Sequence, residues 1–385
     1  MNQQSDVRTL PQMPPTVAGH ISGLKPYVPG KPIEEVQREL GLKDVIKLAS
    51  NENPLGPCPA AVDAIHKSAA GVALYPEGDA PALRAAVARH RQVPPDHLIF
   101  GNGSDEVLHL LALTFLQPGD NTVQGDPSFA MYEIYAQQCN ATPIKVPLTS
   151  PGPSSRGGIT GYTHDLPAML DAITPKTRIV FIANPNNPTG TLVTQSAVES
   201  FLDRVPDHVL VVFDEAYDEY VTSIEKPKTL PYVLEGRNVV VLNTFSKVYG
   251  LAGLRVGYGI ARPEIAALLN QVRSPFNVNL IAQSAATAAL GDHDHIARSV
   301  ALNTEGRAYF YREFDRLGLP YVPSEANFVL VDVARDSLAV FNQLLNHGVI
   351  IRAGAGLGLP QHIRVTVGTP EQNARFIHCL ESVLK

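Results

Sequence analysis

The sequence predicts an α/β protein with two domains: a large one with a mostly parallel sheet flanked by helices, and a smaller α+β one. Three observations lead to this prediction. The chain has 385 residues, more than one small core needs. Between residues 97 and 261, short β-rich runs alternate with helical patterns, which is typical of a parallel sheet covered on both faces. After about residue 262, long helical stretches and separate strands replace this alternation.

The chain divides into four predicted segments. Residues 1–24 are polar and rich in proline, and we predict a mobile N-terminal arm. Residues 25–50 contain the helical pattern PIEEVQREL and are predicted to join the small domain. Residues 51–290 form the predicted large domain. Residues 291–385, with the patterns SLAVFNQLLNHG, ANFVLVDV and HIRVTV, form the C-terminal small domain.

Six short runs in the large domain, most of them apolar, are predicted to be strands because they contain residues of high β propensity and precede helical patterns. They are HLIFG (97–101), NTVQGD (121–126), TRIVFIANP (177–185), VLVVFDEAY (209–217), NVVVLNTFS (238–246) and VGYGIA (256–261). Ligands of open α/β sheets bind at the carboxyl ends of the strands. Since the unusual polar residues of this chain follow these runs, the sequence predicts a site at that edge.

Composition excludes several classes of protein. The net charge is −6 and no basic block occurs, so we predict no nucleic-acid partner. The three scattered cysteines favour a reducing cytoplasm over a disulfide framework. The first 20 residues lack a basic region followed by an apolar one, and no apolar run reaches about 18 residues, so we predict neither a signal peptide nor a membrane span. The DHDH run at 292–295 lacks a third ligand, and we predict a solvated turn there and no metal site.

The first candidate binding element is FGNGSDEVLHL, in which two glycines precede Ser104, Asp105 and a predicted helix. Free N–H groups at a helix N-terminus bind anions, phosphate above all. Taken alone, Ser104 favours a simple helix cap over an anion site. The run is neither a Walker A loop nor a dinucleotide-binding fingerprint.

Two further strand ends carry polar side chains. In ANPNNPTG, Asn187 precedes Pro188, which favours an extended backbone and lets the amide point into a cleft. Asp214 ends an apolar run, so its carboxylate needs either a cationic partner, such as a protonated ring nitrogen, or a helix to cap. Tyr217 offers a phenolic hydroxyl nearby. The other carboxylates of DEAYDEY are predicted to form an exposed acidic face.

The stretch TFSKVYGLAGLR contains a candidate nucleophile and a candidate dianion site. A lysine at the mouth of a buried strand loses hydration, which lowers its pKa and makes its amine a nucleophile, so Lys247 can form an imine with a carbonyl. Arg255 can bind a dianion through two hydrogen bonds, and Thr244 and Ser246 offer hydroxyls to it. A phosphate-bearing aldehyde with a pyridine ring satisfies these groups together, and that description fits pyridoxal 5′-phosphate (PLP).

The remaining strand-end residues fit the ring of this cofactor. Asp214 would hold the pyridinium proton, and Asn187 and Tyr217 would hold the phenolic oxygen. Phe129 could stack on the ring face. Lys247 would also move the proton at the substrate α-carbon.

The ordered series Asn187-Pro-Thr-Gly, Asp214-x-x-Tyr217, Ser246-Lys247 and Arg255 resembles the fold-type I PLP-dependent transferases, and within them the class II aminotransferases. LKPYVPGKPIEEV, KLASNENPLGP, YPEG, GNGSDE, ANFVLV and IRVTVGTPEQN look like the histidinol-phosphate aminotransferase family, so the resemblance covers nearly all the chain after residue 22. It implies transamination between L-histidinol phosphate and 2-oxoglutarate, giving imidazole-acetol phosphate and glutamate in histidine biosynthesis.

The resemblance also implies a homodimer with shared active sites. Tyr75 would reach the neighbouring subunit's PLP phosphate, and Tyr27 would close over the neighbour's substrate. Arg364 would bind the anionic end of the substrate, either phosphate or the glutamate carboxylate, and Arg352 would assist. Each tyrosine could instead be a packing residue and each arginine a surface ion pair.

One departure leaves the substrate open. Phe129 stands where many members of the family have a tyrosine, so a hydroxyl is lost at the stacking position. An aromatic amino-acid aminotransferase and, less so, a threonine-phosphate decarboxylase are therefore alternatives. A transcription regulator with an aminotransferase-like domain would need a DNA-binding domain, and the residues before PYVPG show no helix-turn-helix pattern.

Overall fold

A computed structural model describes residues 16–153 and 158–385, so most of the predicted arm, residues 1–15, lies outside the described residues. The strands are β1 (Ile46–Lys47), β2 (Leu98–Gly101), β3 (Asn121–Asp126), β4 (Thr142–Pro147), β5 (Gly152–Pro153), β6 (Ile159–Thr160), β7 (Thr177–Ala183), β8 (Leu210–Asp214), β9 (Val239–Thr244), β10 (Gly257–Ile260), β11 (Tyr321–Val322), β12 (Phe328–Asp332), β13 (Val349–Ile350), β14 (Arg352–Ala353) and β15 (His362–Thr366).

The α-helices are α1 (Gly19–Ser22), α2 (Ile33–Leu40), α3 (Pro59–Ala69), α4 (Pro81–Arg91), α5 (Gly103–Phe115), α6 (Met131–Gln138), α7 (Leu166–Asp171), α8 (Gln195–Leu202), α9 (Leu230–Leu234), α10 (Pro263–Val272), α11 (Leu280–Ala289), α12 (His293–Leu317), α13 (Ser337–Asn346) and α14 (Pro370–Leu384). No helix among these is both long and apolar enough to cross a membrane.

Seven strands form the large sheet in the order β2-β10-β9-β8-β7-β3-β4, and only β10 runs antiparallel to its neighbours. The predicted α/β class and mostly parallel sheet are thereby confirmed. All residues of β8 and β9 are buried, as their continuous apolar runs predict. Side chains alternate between two apolar layers, so that Val211 and Phe213 pack into one layer and Val212 into the other. The six strands other than β10 all run in the same direction, so their carboxyl ends share one edge of the sheet.

The small domain is built on an antiparallel sheet in the order β11-β12-β15-β14, with α12 and α13 packed against it and α14 packed against these two helices. Its core contains Phe310, Phe314 and Phe376. β1 pairs in parallel with β13, which attaches the segment before residue 50 to this domain. In the small sheet, Arg352 of β14 lies directly opposite Arg364 of β15, so both side chains project from the same face.

Candidate active site

A cavity of about 280 Å³ lies at the carboxyl edge of the large sheet, where the small domain covers it. The structure brings together there all but one of the residues that the sequence predicts for the site. Those lining the cavity are Tyr27, Ser104, Asp105, Phe129, Asn187, Asp214, Tyr217, Thr244, Ser246, Lys247, Arg255, Arg352 and Arg364.

One end of the cavity has the features of an anion site. The first turn of α5 opens into it, and Asn102 takes the N-cap position, so Ser104 is a helical residue and not the cap. Arg255 stands over this turn: a Cβ on Gly103 would lie 2.7 Å from its Nη2. The Arg255 Nη1 donates to the Ser246 hydroxyl at 3.4 Å, which also accepts from Thr244 at 3.0 Å. Free N–H groups, hydroxyls and a guanidinium converge here, as a phosphate requires.

Asp105 lies beside this anion site. Burial raises the pKa of its carboxyl group, and its Oδ1 has no hydrogen-bond partner in residues 16–153 and 158–385. An unpaired buried oxygen costs free energy unless a donor arrives.

Lys247 occupies the centre of the cavity. Its Nζ donates to the Ser50 carbonyl at 3.3 Å and lies 5.6 Å from the centre of the Tyr217 ring. Burial, reinforced by the positive charge of Arg364, lowers the pKa of Lys247 to about 8. A substantial fraction of the amine is therefore neutral near pH 7.5, which is the condition for nucleophilic attack on an aldehyde.

Asp214 ends β8 and faces the cavity, 7% exposed. Its Oδ2 accepts a hydrogen bond from the Tyr132 hydroxyl at 2.7 Å, and its Oδ1 accepts one from the Ala216 N–H at 3.3 Å. Burial raises the pKa of Asp214, so a cationic group in the cavity would favour the ionised form. Sequence reasoning missed Tyr132, because a tyrosine within an apolar helical run is typical of a core residue.

Tyr217 presents its hydroxyl beside the lysine. Asn51 Nδ2 donates to that oxygen at 2.9 Å, and Asn51 has a left-handed backbone with φ 57°. Sequence reasoning assigned Asn51 no role, although an Asn in KLASNENPLGP is a residue type suited to that backbone. The Asn187 amide oxygen accepts from the Arg364 guanidinium.

The other end of the cavity carries two arginines. Arg364 is buried, its Nη2 donates to the Ala49 carbonyl at 2.7 Å, and its Nε has no partner in the described part of the chain. Burial, together with the charge of Arg352, lowers the pKa of Arg364. Arg352 is half-buried and lies 6.0 Å from the centre of the Tyr27 ring. Two like charges on facing residues repel, and an anion between them relieves the repulsion.

The sequence matches the family described as aminotransferase class I and II over residues 43–380. The chain belongs to this family. Among its relatives, the histidinol-phosphate aminotransferase of Moorella thermoacetica is 55% identical over 365 residues, covering 94% of this chain and 92% of that protein. That of Symbiobacterium thermophilum is 50% identical, covering 94% and 96%. The crystal structure of histidinol-phosphate aminotransferase from Sinorhizobium meliloti in complex with PLP superposes with a TM-score of 0.87 at 27% identity, covering 97% and 98%.

The aminotransferase cavity of this chain fits PLP. Its anion end has no room for added side chains, since a Cβ on Gly257 would lie 2.3 Å from the Ser104 nitrogen. Asp214 supplies a buried carboxylate for a ring nitrogen, and Lys247 supplies an amine of lowered pKa. Phe129 lines the same cavity, in edge-to-face contact with Tyr132 at 5.6 Å.

Two tyrosines differ in their placement. Tyr27 lines the cavity of its own aminotransferase chain, which corrects the expectation that it serves a neighbouring subunit. Tyr75 is the predicted residue outside this cavity: it is 83% exposed and stacks on Phe276 at 4.8 Å. Its role stays a prediction.

The prediction of an exposed acidic face after Asp214 is wrong. Glu215 is 4% exposed, and the Arg91 guanidinium lies 3.8 Å from its carboxylate and 3.6 Å from that of Asp218. Lys226 pairs with Asp218 at 2.7 Å. Successive residues after a strand point to opposite sides of the sheet, so a charge beside a cavity-facing aspartate is directed into the protein.

The DHDH run is not a solvated turn. Asp292 caps α12 by accepting from the His295 N–H at 2.9 Å, and His295 is buried. Within the described ranges, no group of three or more His, Cys, Asp or Glu side chains could hold a metal ion.

Proposed function

We propose that this aminotransferase exchanges the amino group between L-histidinol phosphate and 2-oxoglutarate, giving imidazole-acetol phosphate and glutamate, a step of histidine biosynthesis. The observation that carries the proposal is the facing pair Arg352 and Arg364 at the end of the cavity away from the phosphate-binding turn of α5. The names and high identities of the relatives support the same substrate.

PLP, when bound, supplies an electron sink that stabilises the carbanion at the substrate α-carbon. The first turn of α5, Arg255 and the hydroxyls of Thr244 and Ser246 bind its phosphate in this proposal. Asp214 keeps the ring nitrogen protonated. Lys247 Nζ holds the cofactor and moves the proton at the α-carbon, and its lowered pKa makes it a base near neutral pH.

The arginine pair selects the substrate. A phosphate monoester carries nearly two negative charges at neutral pH and three acceptor oxygens, which two guanidinium groups satisfy together. An uncharged aromatic ring would leave both guanidinium groups without a counter-charge, and a buried charge without one is costly. Glutamate uses the same end through its side-chain carboxylate.

Assembly as a homodimer with shared sites is part of the proposal, as is a cytoplasmic location. Tyr75 does not line its own cavity and is exposed, as a residue that completes a neighbour's site would be. Mixing inactive Lys247→Ala and Tyr75→Ala chains should restore activity, because one of the two mixed sites is then intact. No recovery despite proven subunit exchange would count against shared sites.

The substrate assignment is tested by steady-state kinetics with 2-oxoglutarate and four donors: histidinol phosphate, histidinol, phenylalanine and threonine phosphate. We expect kcat/KM for histidinol phosphate to exceed that for the other three. If phenylalanine equals it, the protein is an aromatic aminotransferase. Release of carbon dioxide from threonine phosphate would indicate the decarboxylase.

A further inference from the structure

The hydroxyl of Tyr132 and the carboxylate of Asp214 form a buried hydrogen bond that is not among the contacts expected from the sequence. Tyr132 lies on α6, 82 residues before Asp214 in the chain, and the two oxygens are 2.7 Å apart. Tyr132 is 0% exposed. Because the Tyr132 hydroxyl is shielded from solvent, this hydrogen bond defines where the carboxylate oxygen lies.

The ring of Tyr132 is held on two sides. It stacks on Phe181 of β7 with centroids 4.7 Å apart and planes 4° from parallel. Phe129 packs against the Tyr132 ring edge-to-face, with centroids 5.6 Å apart and planes at 84°. A side chain packed in this way cannot swing, so its hydroxyl stays directed at Asp214.

The direction of this hydrogen bond is fixed. Burial, and then the charge of Asp214, raise the pKa of the Tyr132 phenol well above its usual range, so the hydroxyl stays protonated. In this hydrogen bond the Tyr132 hydroxyl is therefore the donor and the Asp214 carboxylate is the acceptor. Burial pushes the pKa of Asp214 upward, and the Tyr132 hydrogen bond is the largest effect in the opposite direction, ahead of the Ala216 N–H.

We propose that Tyr132 is a positioning residue of the transamination site: it keeps the Asp214 carboxylate ionised and aimed at the cofactor's ring nitrogen, and its ring supports Phe129. The inference rests on the proposed use of Asp214 in PLP binding. It does not depend on which amino donor the enzyme takes.

The test compares Tyr132→Phe with Tyr311→Phe. Tyr311 is a matched control, since its hydroxyl also has an internal partner, the Ser324 N–H at 2.7 Å, but it does not line the cavity. Charge-assisted hydrogen bonds of this type change equilibria by about 10- to 100-fold. We expect Tyr132→Phe to weaken PLP binding to the cofactor-free protein by about that factor, and Tyr311→Phe to leave it unchanged.

Two further measurements separate positioning from general stability. The ¹⁵N chemical shift of labelled PLP in Tyr132→Phe should move toward the unprotonated ring nitrogen. In addition, kcat should fall by about 10- to 100-fold for every donor the parent accepts, with KM nearly constant. Parental PLP affinity and ¹⁵N shift in folded Tyr132→Phe would overturn the proposal, even if its Tm fell.

A double-mutant cycle tests whether Tyr132 acts through the Asp214 carboxylate. In an Asp214→Asn background the buried charge is absent, so adding Tyr132→Phe should change PLP affinity by less than about 3-fold. An equally large effect with and without the carboxylate would show that Tyr132 does not act through Asp214. The PLP and ¹⁵N readouts contain no substrate, so a wrong substrate assignment leaves them interpretable.

Discussion

Replacing Arg364 with glutamine tests the anion end of the cavity most directly. Arg364 is 6% exposed, and its guanidinium is held between the Asn187 side chain and the Ala49 carbonyl, with the Phe328 ring 5.1 Å away. Glutamine keeps similar bulk and one amide donor but removes the charge. A substrate anion would then enter a buried site facing Arg352 alone.

The structure sets the size of the effect. Truncating one partner of a buried, hydrogen-bonded charge pair costs about 2–5 kcal/mol, or roughly 30- to 4,000-fold at about 1.4 kcal/mol per factor of ten. Because the proposal assigns phosphate and glutamate carboxylate to the same guanidinium, we expect kcat/KM to fall within that range for both half-reactions. Arg352 is half-buried and has fewer fixed contacts, so Arg352→Gln should cost less.

Stopped-flow absorbance of each half-reaction measures the loss separately for histidinol phosphate and for glutamate. The visible spectrum of the bound cofactor and the Tm serve as controls for the fold. Tyr27→Phe is the matched comparison, and it should impair histidinol phosphate more than glutamate. An Arg364→Gln enzyme with parental kcat/KM for histidinol phosphate would refute the assignment of this end of the cavity to the phosphate.

Three other outcomes are expected. Lys247→Ala should lose the visible absorbance band of the bound cofactor and all turnover, and an active variant would contradict the assignment of Lys247. The unmutated protein, once freed of cofactor, should recombine with PLP faster as pH rises through about 8, because the Lys247 amine loses its proton there. Asp214→Asn should slow proton abstraction in single-turnover experiments by about 3–5 kcal/mol, the cost of removing one member of a buried charge pair, and a parental rate would exclude that role. Arg91→Met should lower the free energy of unfolding by about 3–5 kcal/mol. Burial raises the pKa of Glu215 above its ordinary 4.5, so the folded state favours the protonated carboxyl and the free energy of unfolding falls as pH rises above 4.5. The destabilisation caused by Arg91→Met, measured by urea titration, should therefore grow with pH. A destabilisation that does not change with pH would argue against the charge pair.

Much of the site could be predicted because its reactive side chains lie at or just after the ends of strands. The runs before Asp214 and Lys247 are continuous and apolar, so the strands are recognisable and the polar residue that follows each must lie at the edge of the sheet. Parallel pairing then brings these edges together even though the residues are distant in the chain. The residue types that meet there, an amine, a carboxylate and a dianion site, narrow the ligand to PLP.

Other features depended on which side chains face each other after folding. The Tyr132–Asp214 and Asn51–Tyr217 hydrogen bonds join residues 82 and 166 positions apart, and no local pattern encodes such a pairing. The burial of Glu215 against Arg91 likewise reversed the expectation of an exposed acidic face.

The fold class, the strand ends and the chemical identity of the groups placed there could be derived from the amino-acid sequence, because strand periodicity and residue chemistry are local properties. Three features could be known only from the folded chain: the hydroxyl that supports Asp214, the place of Tyr27 in the cavity of its own chain, and the pairing of Arg352 with Arg364 on adjacent strands. Those outcomes depend on strand register and on helices packing over the sheet, which arise from many small contacts summed over the whole chain.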